Sequence, residues 1–250
     1  MIKKQKLINL ALVLIILAFI SAISFGAVED FEIKDGVLIE YKGKDETVKI
    51  PNGVTSIGNN AFKECTFIKS ITMPDSVTNI GDNIFGSCQG LTSINVNENN
   101  PSYSSLNGVL LNKDKTELIR YPRGKPEKSY NIPDSVTSIG FGAFFYCESL
   151  ISMVISDGVT RIKMNAFSYC TSLTSVVIPN SVKSIEGHAF FQCKSLKSIT
   201  IPDSVTSIGK GAFEIIDFII PYNVIIIHGT AGSYAEKYAK ENNIEFQAQY

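Results

Sequence analysis

The stretch Ile132-Pro133-Asp134-Ser135-Val136-Thr137-Ser138-Ile139-Gly140 recurs letter for letter at 201–209. Looser copies stand at Val54-Thr55-Ser56-Ile57-Gly58 and, 23 residues on, at Val77-Thr78-Asn79-Ile80-Gly81. A repeated unit therefore begins at Ile50, Met73, Ile132, Ile155, Ile178 and Ile201. Every step is 23 residues except the one from Met73 to Ile132, which carries 36 more. The fifth position is always Val (Val54, Val77, Val136, Val159, Val182, Val205) and the eighth always Ile. The thirteenth is always Phe: Phe62, Phe85, Phe144, Phe167, Phe190 and Phe213. Five units place Cys at the sixteenth position.

These spacings translate into geometry. Leu196, Ile199 and Ile201 read L-x-x-I-x-I, and the alternation at 199 and 201 puts both side chains on one face of a short strand. Pro202 then ends the strand, because proline removes a ladder donor. Ala189, Phe190 and Cys193 have a spacing that suits one helical turn facing the same core. One unit cannot bury its apolar face alone, so the units stack, and equivalent Phe and Ile side chains meet about 5 Å apart. The expected fold is a β-rich α/β solenoid with short helical turns.

The unit IPDSVTSIGKGAF, with CKSLKSIT before it, resembles the leucine-rich repeat superfamily and within it the bacterial BspA-like type. The resemblance covers residues 50 to about 220. It implies a binding solenoid, since some members of that family act as surface adhesins toward host matrix proteins or other microbes. It does not define a ligand, because one fold serves many partners.

The flanks divide the rest of the chain. Residues 28–49 alternate loosely around the turn signals Asp35-Gly36 and Lys42-Gly43 and read as an N-terminal cap hairpin. Repeats 1–2 occupy 50–95 and repeats 3–6 occupy 132–221. Between them, 96–131 reads as an inserted hairpin, with Val109-Leu110-Leu111 and Leu118-Ile119-Arg120-Tyr121 flanking a polar tip. Residues 113–128 carry six basic and three acidic side chains. That is either a solvated hairpin face or a small contact site for an acidic partner. Residues 222–250 form a C-terminal cap, in which Val224 to Ile227 continues the strand pattern. Ser233 and Glu236 have capping-box spacing, and Ala235, Tyr238 and Ala239 share one face of a short helix.

Residues 1–27 read as an export signal: Lys3, Lys4 and Lys6, then an apolar run from Leu7 to Ile20, then small residues. Cleavage is expected between residues 24 and 27. The alternative is an uncleaved anchor, because about 20 apolar residues span a bilayer. That segment is the only membrane contact the sequence offers. The remainder is ordinary globular material, 44% hydrophobic and 19% charged over the 250 residues. With 23 basic and 24 acidic side chains there is no basic field to bring nucleic acid.

Candidate chemistry is sparse. Cys65, Cys88, Cys147, Cys170 and Cys193 share one repeat position, so neighbouring thiols point the same way and do not face each other as disulfide partners must. They read as a ladder of small buried hydrophobes. With no close Cys pair and only two His residues, no metal or cofactor is expected. His188 holds the eleventh position, where the other units have Asn60, Asn83, Gly142, Asn165 and Gly211, all residue types that tolerate positive φ. It reads as a left-handed turn residue. His228 has no evident acid partner. Asp75, Asp134, Asp157 and Asp203 recur because a turn recurs. No phosphate loop, nucleophile elbow or H-E-x-x-H is present, so no catalytic residue is nominated and the chain is read as a non-enzyme.

What remains is surface. On the strand that ends each unit, Ser70, Ser93, Ser152, Ser175 and Ser198 should face outward. So should Thr72, Asn95, Val154, Val177 and Thr200. Lys69, Thr92, Ile151, Thr174 and Lys197 come just before them. Stacking lays these out as a sheet on the concave side, the surface solenoids use for binding. The alternative is a hydroxyl ladder that only keeps a sheet solvated. A second patch, Phe141, Phe145, Tyr146, Met164, Tyr169 and Phe191, falls at positions that are polar in the first two units. Either it is a contact site or the inserted hairpin covers it. The functional expectation is an exported, non-catalytic protein that binds a protein partner from host matrix, a microbial surface or the same cell, with adhesion as its form. The alternatives are a structural or periplasmic assembly module and, more remotely, a glycan-acting enzyme built on a carboxylate pair.

Overall fold

The computed structural model describes residues 28–86, 88–216 and 225–249. Residues 1–27, expected to be an export signal, lie outside them, as do 217–221 at the end of the last repeat and 222–224 and 250 of the expected C-terminal cap. The described chain winds into a β-solenoid of about nine turns with little helix. Two ladders of parallel strands run along it. One has short rungs at Ser56–Ile57 and Asn79–Ile80 and, after the insertion, at Glu117–Arg120, Ser138–Ile139, Arg161–Ile162, Ser184–Ile185 and Ser207–Ile208. Its isoleucines lie in direct register, Ile139 beside Ile162 and Ile162 beside Ile185.

The other ladder has nine rungs in three sheets of three. Thr47–Lys49, Ser70–Met73 and Ser93–Val96 form the first sheet. Ser129–Asn131, Ser152–Val154 and Ser175–Val177 form the second, and Ser198–Thr200, Ile226–Gly229 and Glu245–Ala248 the third. In each repeat rung the central apolar residue is buried and its neighbours face outward, as period-two alternation requires. The expectation of one continuous sheet is corrected here. The insertion separates the first sheet from the second, and Ser175–Val177 is not laddered to Ser198–Thr200.

The third side of each turn corrects the expected helical turn. It is a run of tight turns, because one residue in every unit, and a second in four of them, adopts the left-handed conformation that a right-handed helix cannot pass through. The eleventh position does so in all six units: Asn60, Asn83, Gly142, Asn165, His188 and Gly211 have φ between 52° and 65°. The fifteenth does so at Glu64, Tyr146, Tyr169 and Gln192. The amides freed in this way bond to the next unit. Phe144, Phe167 and Phe190 donate N–H to the carbonyls of Ala166, Ala189 and Ala212, each at 2.7 Å. The turns thus form a third inter-repeat ladder.

The core is a pair of aromatic columns. Phe31, Tyr41, Phe62 and Phe85 make the first, with centroids 4.9–5.8 Å apart. Tyr121, Phe144, Phe167, Phe190 and Phe213 make the second at 4.9–5.3 Å, and Tyr238 closes it edge-on at 6.0 Å. The two buried clusters divide at the insertion, Leu110 belonging to one and its neighbours Val109 and Leu111 to the other. The insertion itself pairs Tyr103–Leu106 with Val109–Asn112, and the latter with Glu117–Arg120, both antiparallel. Its entry is pinned by buried Asn100, whose amide donates to the carbonyls of Pro74 and Val77 at 2.8 Å each. Glu117–Arg120 then resumes parallel pairing, and Tyr121 supplies the first ring of the new column.

At the ends, Phe31–Lys34 pairs antiparallel with Val37–Tyr41, which in turn lies parallel to Ser56–Ile57. The helix Tyr234–Glu241 buries Ala235, Tyr238 and Ala239, and Ser233 Oγ accepts the Glu236 amide at its start.

Candidate functional site

The long-rung face holds the residues expected to line a concave site, but in three groups. Ser70, Thr72, Ser93 and Asn95 share the first sheet, and Ser70, Ser93 and Asn95 are linked through their side chains. Asn95 Nδ2 donates to Ser70 Oγ at 3.1 Å, and Ser93 Oγ donates to Asn95 Oδ1 at 3.0 Å. Thr92 and Thr174 turn their hydroxyls onto the carbonyls of Lys69 and Ile151 at 3.0 and 3.1 Å, so both serve the ladder. Ser152, Val154, Ser175 and Val177 stand in register in the second sheet. Val154 and Val177 are 50% and 55% exposed there, beside Ile151 at 41%. Lys197, Ser198 and Thr200 are exposed on the third sheet. Where the second and third sheets part, an open cleft of about 380 Å³ runs between Thr174–Ile178 and Ser198–Thr200. No residue pattern announces this opening, since every rung there keeps the repeat pattern.

The aromatic residues singled out from sequence do come together. Tyr146 and Tyr169 stack at 4.5 Å, Phe145 meets both edge-on, and Phe191 meets Tyr169 at 5.5 Å and His188 at 5.2 Å. Arg123 from the insertion lies over the Tyr146 ring at 4.6 Å and pairs with Glu148. The insertion therefore touches one edge of the group. Phe141 and Met164 remain 53% and 44% exposed.

The five thiols are free and buried. Each points to the carbonyl of the aromatic residue one turn earlier: Cys170 Sγ to Phe144 O and Cys193 Sγ to Phe167 O, both at 3.1 Å. Burial raises every one, to about 12 for Cys88, Cys147 and Cys193, so they are neither nucleophiles nor thiolate ligands at neutral pH. His188 is a left-handed turn residue with φ 55°, as its repeat position requires. His228 sits in a ladder beside Thr200 and Gln247.

One residue escaped the sequence reading. Among the basic side chains of the insertion, Lys125 pairs with Glu127, and Lys113 bonds the carbonyls of Glu98 and Asn100. Arg120 does neither. It is only 9% exposed, which corrects the picture of a wholly solvated charged face. Its Nη1 donates to the Gly142 carbonyl at 2.7 Å, and its buried Nη2 has no partner. Strand alternation could have flagged it, because Leu118 and Arg120 point the same way and Leu118 is core.

No helix among the described residues is long and apolar enough to cross a membrane. No curated protein matches the chain. Among solved structures, the pneumococcal vaccine antigen PcpA superposes with a TM-score of 0.61 at 21% identity, over 84% of this chain and 69% of that one. A leucine-rich cell surface protein from Faecalibacterium prausnitzii A2-165 gives 0.59 at 29% identity over 80% of this chain, which spans 57% of that protein. The T. pallidum leucine-rich repeat protein TpLRR gives 0.50 at 20% identity, over 90% and 98%. The sequence profile of the BspA-type leucine-rich repeat region matches in six copies across residues 39–107 and 124–237. A match over so much of the chain shows that this protein belongs to the BspA-type leucine-rich-repeat family.

Proposed function

We propose that the protein is an exported, non-catalytic solenoid that binds a protein partner through its long-rung face, as a surface adhesin does. The observation that carries this reading is the row of Ile151, Val154 and Val177, apolar and exposed on a sheet face beside an open cleft. A face kept only for solubility would carry polar residues there. The two structural relatives named as a vaccine antigen and a cell surface protein support surface exposure. Residues 1–27 act as the export signal in this reading. The terminal hairpin and helix act as caps, since Phe31 covers the first aromatic column and Tyr238 the second.

The test is a binding screen of the purified protein against matrix proteins, intact microbial cells and glycans. Saturable binding to a protein or cell surface is the expected result. Binding to no external target, with capture of a protein from the producing cell, would replace the adhesin with an assembly module.

A further inference from the structure

The third sheet ends on the rung Glu245–Ala248, and among the described residues no strand pairs with its outer edge. Its register against Ile226–Gly229 is unbroken, and just past it the Gln249 N–H reaches the Gly229 carbonyl at 2.8 Å. Backbone groups point to alternate sides along a strand, so residues 245, 247 and 249 spend theirs on that ladder. The N–H and C=O of Phe246 and Ala248 point off the edge and meet no partner among the described residues. An open edge of this kind is a template for another extended chain.

Exposed edges are ordinarily blunted by charge, proline or a bulge. The N-terminal end follows that rule. Phe31–Lys34 carries Glu32 and Lys34 and shifts register between Glu32 and Ile33, and the rung Thr47–Lys49 follows directly on Lys44, Asp45 and Glu46. The C-terminal edge reads Glu245-Phe246-Gln247-Ala248-Gln249, with one charge, no proline and no bulge.

This edge is also self-complementary. When two copies run antiparallel about Gln247, Phe246 of one lies opposite Ala248 of the other, and each such pair exchanges both main-chain bonds. A large ring then faces a methyl group on the core side, where Phe246 already packs against the buried cluster. On the outer side Gln247 meets its own copy, carboxamide to carboxamide, and Glu245 meets Gln249. No like charges oppose each other. The register centred on Phe246 is poorer. It sets two phenyl rings in one pair and brings Ala248 opposite Ile244, whose N–H is already spent on the Ala239 carbonyl.

We propose that Glu245–Ala248 is a self-association edge through which two copies of this chain join antiparallel into one continuous sheet, with Gln247 on the two-fold axis. That axis stands perpendicular to the sheet, so both long-rung faces open to the same side and the dimer presents them in duplicate. A four-residue edge is small beside stable interfaces of about 1,200–2,000 Å², so the association is reversible and concentration-dependent. It does not depend on what the long-rung face binds.

The experiment is sedimentation velocity of the purified protein from micromolar to submillimolar concentration. The expected result is a mass that rises from monomer toward dimer. Ala248→Pro removes an outward N–H and leaves the inner ladder intact. Gln247→Lys sets two cations face to face on the axis, and Gln247→Glu sets two carboxylates there. Each variant should keep the parent's circular-dichroism melt and self-associate at least tenfold more weakly. An equimolar mixture of Gln247→Lys and Gln247→Glu should restore the dimer, because residue 247 meets itself across the axis. A parent that stays monomeric throughout overturns the proposal, as does a dimer that folded Ala248→Pro leaves undiminished. A dimer unchanged by Gln247→Lys, or a mixture of the two Gln247 variants that stays monomeric, overturns the assigned register and the proposal with it.

Discussion

Replacing Phe167 by alanine should cost about 3–5 kcal/mol, the range for a fully buried phenyl ring. The structure supports the upper part of that range. Phe167 is wholly buried, and its ring lies between Phe144 at 4.9 Å and 15° and Phe190 at 5.0 Å and 10°. Truncation removes two stacked contacts of about 0.5–1.5 kcal/mol each, in addition to the transfer and cavity terms. The void opens in the middle of a column, where neither neighbour can collapse without leaving its own repeat register. Phe85 provides an internal comparison, because it ends the first column and, among the described residues, its ring meets Phe62 alone, tilted at 5.7 Å and 31°. Phe85→Ala should therefore cost roughly 1 kcal/mol less than Phe167→Ala. Ser175→Ala, on an exposed rung residue, should be nearly silent. Urea unfolding followed by far-ultraviolet circular dichroism measures all three. Equal losses for Phe167→Ala and Ser175→Ala would refute the assignment of inward and outward positions. Equal losses for Phe167→Ala and Phe85→Ala would refute the column argument.

Three further outcomes follow from the turn side and the thiols. His188→Val should destabilise by about 1–2 kcal/mol, because a β-branched residue is forced to positive φ, and His188→Gly should lose less. The two midpoints compared in the same denaturant check this. The five thiols should resist iodoacetamide in the native protein at pH 8 and all react in denaturant, as mass spectrometry would show. Burial raises Cys88, Cys147 and Cys193 to about 12, so the unfolded chain releases those protons first. Their contribution is complete below about pH 9 and is lost as pH climbs toward 12. Each such thiol steepens the decline by about 1.4 kcal/mol per pH unit. Denaturation series across that interval measure the slope, and a stability that stayed flat would contradict thiol burial.

The solenoid was legible because six units can be compared within one chain. Invariant Val at position five, Ile at eight and Phe at thirteen mark the buried face, and Gly, Asn or His at eleven marks a left-handed turn. The second left-handed position was not legible, since Glu64, Tyr146, Tyr169 and Gln192 carry no conformational signature. That missed bend is why a helical turn was expected where stacked tight turns exist. Tyr41 stands 21 residues before Phe62, outside the 23-residue register, whereas Tyr121 stands in it, 23 before Phe144, but in a stretch whose fifth and eighth positions are Lys113 and Thr116, which hides the unit. The cleft beside Val177 reflects how two regular rungs fail to pair, and neither rung shows this in its own residues. Arg120 looked like one charge among six until its strand register placed it against Leu110 of the core.

The binding reading turns on whether the second and third sheets meet a partner. The most direct measurement is the affinity for whatever the screen captures, in the parent protein and in a variant with Ser152→Arg, Ser175→Arg and Ser198→Arg. All three positions project from the proposed face outside the buried core, so the variant should keep its melting temperature. The account predicts that the folded variant loses at least tenfold in affinity, about 1.4 kcal/mol. An unchanged affinity in the folded variant would contradict it and remove the long-rung face from the binding site.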